Sequence, residues 1–74
     1  MQLSIVIRPD HEDGGFIAEC LDLPGCLSQG NTLEETLANI KEAAEGCLLS
    51  MAEHGDPLPT GEAIFATMPI EVPA

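Results

Sequence analysis

The sequence predicts a two-layer α+β domain of order β-β-β-α-β, an antiparallel three-stranded meander with one long helix and a final edge strand. Three observations predict it. Two early segments alternate apolar and polar residues with period two, the pattern of half-buried strands. The links between the first three strand segments are short and rich in Gly or Pro, which suits antiparallel neighbours. From Leu33 to Met51 the apolar residues recur at helical spacing.

The first strand runs from Leu3 to Arg8. Leu3, Ile5 and Ile7 share one side, Ser4, Val6 and Arg8 the other, and β-branched residues dominate. Pro9, which has no N–H to donate, is expected to end it. Asp10 to Gly15 is a turn-rich link in which Gly14 and Gly15 accept positive φ. The second strand spans Phe16 to Leu21, with Phe16, Ala18 and Cys20 on one side and Ile17, Glu19 and Leu21 on the other. Leu23-Pro24-Gly25 has the chemistry of a type II turn, with Pro setting φ at the second position and Gly taking positive φ at the third. Cys26 to Gln29 is a short third strand closed by Gly30.

Thr32 is the expected N-cap of the helix, and Glu35 three residues on completes a capping box. Asn31 with Glu34 offers the same box one residue earlier. Glu34 and Glu35 also suit the positive end of the helix dipole. Gly55 is the natural residue just past the helix, and Pro57 prevents continuation. Residues 1–55 are therefore the core, 56–63 a linker, and 64–74 a final strand and tail. Ile64 to Thr67 and Ile70 to Val72 each read as a last strand, and Pro69 between them confines that strand to an edge or breaks it.

With 74 residues the chain forms one domain. A domain of this size buries so small a fraction of its surface that the lone subunit is marginal. One helix covers one face of a sheet, which leaves Val6, Ile17 and Leu21 on the other. A helix of some 22 residues is about 33 Å long, whereas strands of six or seven residues reach about 20 Å. Leu48 and Met51 are accordingly expected to overhang the sheet, and Leu49 to be exposed on the polar side. Val6, Ile17, Leu21, Leu48, Leu49 and Met51 together predict an interface for self-association as a homodimer or homotetramer.

Net charge is −11, and Arg8 and Lys41 are the only strong cations. Direct nucleic-acid binding needs clustered Lys and Arg, so it is not expected, and neither is an anionic membrane surface. A basic protein partner would be attracted. The expected contact is the helix face carrying Glu34, Glu35, Glu42 and Glu45; a plain solvated face is the alternative. No leader or membrane-span pattern is found, so the expected location is the cytoplasm. There the three cysteines, Cys20, Cys26 and Cys47, are structural thiols.

Chemistry is sparse. Asp10, Glu12 and Asp13 lack the spacing of a calcium loop. His11 and His54 share no metal-ligand motif with any Cys. The serines sit in no nucleophile elbow, and Gly14-Gly15 matches no cofactor loop. No enzyme activity, metal or cofactor is expected; the alternative is a nuclease remnant using Asp10, Asp13 and Glu19 with Mg²⁺.

Residues 10–45 resemble the N-terminal domain of the HicB antitoxin family. The resemblance is carried by Glu12-Asp13-Gly14-Gly15-Phe16, Ala18, Leu23-Pro24-Gly25-Cys26, Ser28, Gly30, Thr32, Glu34-Glu35, Asn39 and Glu42-Ala43, in order and spacing. With the first strand included it covers most of the chain to about residue 55. It implies a β-β-β-α-β fold likened to a degraded ribonuclease-H core. It also implies homo-oligomers and an antitoxin role in which the chain binds and silences HicA, a small basic mRNA-cleaving toxin. Many members of the family add a C-terminal DNA-binding domain. Residues 56–74 are too few and too Pro-rich for one, so autorepression is not carried over. Without a toxin, the chain would be an orphan oligomeric binding module.

Overall fold

The computed structural model describes residues 1–73. Strands β1 (Ile5–Pro9), β2 (Phe16–Cys20) and β3 (Leu27–Gly30) form one antiparallel sheet in the order β1-β2-β3, and helix α1 (Leu33–His54) follows. The expected α+β class, with a meander ahead of one long helix, is what the chain adopts.

The ladder explains where each strand stops. The Leu21 N–H donates to the Ser4 carbonyl at 2.8 Å, and the Asp10 N–H to the Gly15 carbonyl at 3.0 Å. Even-numbered residues of β1 therefore point their main-chain groups at β2, and Ile5, Ile7 and Pro9 point theirs at the open edge. Pro9 ends β1 as expected, and it is itself the last paired residue, because its missing N–H falls on the unpaired side. Asp10 then turns the chain: its carboxylate accepts the N–H groups of Glu12 and Asp13 at 3.0 and 3.2 Å, and its carbonyl accepts that of Gly14 at 3.0 Å. Gly14 and Gly15 follow at φ +79° and +73°. At the other end of β2 the Cys26 N–H donates to the Leu23 carbonyl at 3.0 Å with Gly25 at φ +80°, as type II chemistry requires.

Thr32 caps α1, its hydroxyl accepting the Glu35 N–H at 3.1 Å. The Glu35 carboxylate reaches back to the Asn31 N–H at 3.4 Å, so the box closes one residue ahead of the N-cap. At the far end Gly55 takes φ +72°. The N–H groups of Gly55 and Asp56 return to the carbonyls of Ala52 and Met51, a Schellman closure.

Ala18, Cys20, Leu23, Cys26, Ile40 and Ala44 are buried and form the core, with Leu3, Ile5, Ile7, Leu48 and Met51 among the half-buried residues packed on it. Leu48 and Met51 therefore do not overhang. The turn at Leu23-Pro24 extends the sheet layer, and Met51 shares a cleft with both of those residues. The expected final strand is also absent. Among the described residues, 56–73 form no regular secondary structure, since Pro57, Pro59 and Pro69 each lack a ladder donor. No helix among the described residues is long and apolar enough to cross a membrane.

Candidate functional site

The capped start of α1 sets the orientation of its acidic residues. At about 100° per residue, Glu34, Glu35, Glu42 and Glu45 fall within roughly 100° of arc around the helix, and all four are exposed. They lie together, as expected. Glu35 does more than stand in water. Besides its bond to Asn31, it lines a polar cleft of about 460 Å³ with Asp10, Asp13, Gln29 and Asn39. The loop between β1 and β2 thus adds two carboxylates to the N-terminal end of the helix surface. Reading the chain by segments missed this, because Asp13 and Glu35 stand 22 positions apart.

Asp10, Asp13 and Glu19 are not brought together as a nuclease trio. Asp10 and Asp13 are on the loop, whereas half-buried Glu19 projects from the outer face of β2, opposite Val6 and Leu27. Among the described residues, no three His, Cys, Asp or Glu side chains are grouped to hold a metal ion.

The six expected interface residues divide into three places. Val6, Ile17 and Leu21 lie on the sheet face away from α1; the first two are half-buried and Leu21 is 46% exposed. Leu27, 57% exposed, joins them. The sequence reading missed Leu27; its alternation with buried Cys26 is the signal that could have found it. Leu48 and Met51 lie on the other side of the sheet, on the core. Leu49, 63% exposed, lies on the solvent side of α1, as expected.

A second, apolar groove of about 520 Å³ opens between α1 and the free edge of β1, lined by Leu3, Ile5, Leu37, Ile40 and Leu48 with Lys41 and Glu45 at its rim. The three thiols are free; Cys20 and Cys26 are buried and Cys47 half-buried. Burial, helped by a hydrogen bond with Cys47 and by the neighbouring thiols, pushes Cys26 up to about 11. It is a protonated core group at neutral pH, in keeping with a structural role.

A family model described as the HicB-like antitoxin of bacterial toxin-antitoxin systems matches residues 3–71. This chain belongs to the HicB-like antitoxin family. The HicB-like match runs on past α1 through residues 64–71, so that segment is part of the family's domain pattern. Among similar proteins, a UPF0150 protein of Thermoplasma acidophilum is 38% identical over 63 residues, covering 85% of this chain and 90% of the relative. A UPF0150 protein of Synechocystis is 46% identical over 66 residues, covering 89% of each. An uncharacterised 14.9 kDa protein of Haemophilus phage HP1 is 38% identical over 50 residues, covering 68% of this chain and 38% of its own. HicB-like membership supports an antitoxin role, and with it a toxin partner in general terms.

Proposed function

We propose that this HicB-like chain is a non-enzymatic antitoxin subunit of the cytoplasm that self-associates and silences a small basic, mRNA-cleaving toxin of the HicA kind. The observation that carries this reading is the acidic surface on α1. Glu34, Glu35, Glu42 and Glu45 are exposed on one side of a capped helix, and Asp10 and Asp13 extend that surface across the cleft beside Glu35. A toxin that binds RNA must present cations spaced for phosphates. Carboxylates clustered on one side of a capped helix offer the same sign of charge and occlude that surface. Burying such a surface silences the toxin with no chemistry on the antitoxin's side.

Self-association rests on a second surface. Val6, Ile17, Leu21 and Leu27 form an apolar face that α1 does not cover, and a further chain seated there would remove it from water. That face also supports the other reading, an orphan homodimeric or homotetrameric module with no toxin.

The test is binding to the small basic product of the neighbouring reading frame, at several salt concentrations. Glu42→Lys with Glu45→Lys is expected to weaken the complex roughly tenfold or more at low salt and to flatten its salt dependence. Unchanged affinity and slope would remove α1 from the contact. The absence of any such reading frame would favour the orphan reading.

A further inference from the structure

The two edges of the sheet are not equivalent. On β3 the outward carbonyl of Gln29 accepts the side-chain amide of Asn39. On β1 the main-chain groups of Ile5 and Ile7 point outward, and the apolar groove opens beside them. Residues 64–72 match that edge. In an extended chain Ile64, Ala66, Met68, Ile70 and Val72 share one side, and Glu71 is the segment's only charge. Within one subunit these side chains lie in water: Ile64 is 94% exposed, Met68 69%, Ile70 74% and Val72 88%.

Pro69 sets the direction of pairing. In an antiparallel ladder, facing residues put their side chains on one side and aim their main-chain groups at each other; in a parallel ladder, facing residues aim them in opposite senses. Suppose Met68 and Ile70 lie over the groove, on the same side as Ile5 and Ile7. Antiparallel pairing then turns the missing donor of Pro69 outward, whereas parallel pairing drives it into the ladder.

Paired along its whole length, the segment cannot reach that position on its own subunit. Gly61 passes so close to Gln2, three residues ahead of β1, that an added Cβ would lie 2.5 Å from the Gln2 carbonyl oxygen. An antiparallel strand must begin near Pro9, seven residues or roughly 23 Å away. The three residue steps from Gly61 to Ile64 span at most about 11 Å.

We propose that residues 64–72 of one copy pair antiparallel with β1 of a second copy and fill its groove with Met68, Ile70 and Val72. The exchange joins nearly uncharged surfaces of two strongly acidic chains. Salt therefore tightens it by screening their repulsion, the opposite of its effect on a toxin complex.

Sedimentation of the full chain tests the exchange. The wild type is expected to contain an even number of copies. Met68→Glu with Ile70→Glu, which alters only side chains exposed in the single subunit, is expected to halve the mass and weaken association by roughly 100-fold or more. Thr67→Glu, on the other side of the segment, should leave the mass unchanged. A synthetic peptide of residues 62–74 is expected to bind the double variant. A wild type that sediments as one chain, a double variant of unchanged mass, or a peptide that fails to bind would each overturn the exchange. Toxin binding by the double variant bears only on the acidic surface, so the two proposals fail separately.

Discussion

The side-chain amide of Asn39, on α1, donates to the main-chain carbonyl of Gln29, on the outer edge of β3, at 2.7 Å. Beside the packed core, this bond joins the helix to the sheet and occupies an acceptor that would otherwise stand on an open edge. Asn39→Ala is expected to lower stability by about 1 kcal/mol. That corresponds to a melting-temperature loss of roughly 4–8 °C, read by thermal unfolding at fixed protein concentration.

Gly30 ends β3 where the first turn of α1 presses on it. An added Cβ would lie 2.6 Å from Thr36 Oγ1 and 2.7 Å from the Thr36 nitrogen. Thr36 is fully buried and its hydroxyl donates to the Thr32 carbonyl at 2.7 Å, so it has little room to yield. Gly30→Ala is expected to cost about 2–3 kcal/mol in urea unfolding. Gly14→Ala meets nothing within 4 Å and bears only the strain of φ +79°, about 1 kcal/mol. A cost for Gly14→Ala above that for Gly30→Ala would contradict the close approach.

Thr32→Ala removes the hydroxyl that accepts the Glu35 N–H. The expected loss is about 1 kcal/mol, with Thr32→Ser close to wild type. Helix content and urea midpoint measure it.

Cys26 makes stability fall in alkali. The unfolded thiol ionises near 9.0 and the folded one near 11, chiefly because burial disfavours the thiolate. Below pH 9 both states keep the proton and the contribution is complete. As pH rises from about 9 to about 11 the unfolded chain loses the proton while the folded chain keeps it, so stability drops by up to about 3 kcal/mol. Urea midpoints across that range are expected to slope downward and to flatten in Cys26→Ala.

Local chemistry was legible along the chain. Alternation placed β1 and β2, Leu23-Pro24-Gly25 announced its turn, and Thr32 with Gly55 marked both ends of α1 within a residue. Each of these signals acts over six residues or fewer, through a short periodicity, a dihedral preference or one hydrogen bond, so tertiary context had little to override. Pro9 was expected to end β1 and does; that it also pairs with Phe16 depends on which side of the ladder its missing donor faces, a fact of pairing rather than of composition.

By itself, then, the sequence determined the α+β class, the order of the first four elements, the acidic face of α1 and the HicB-like likeness, all of which follow from short-range periodicity and charge. Only the tertiary structure decided that Leu48 and Met51 belong to the core, that Asp10 and Asp13 approach Glu35, that Leu27 joins the uncovered face, and that residues 64–72 find no strand partner within one subunit. Those outcomes depend on contacts between residues far apart in the chain, where register and the reach of the backbone, not local preference, set the distance.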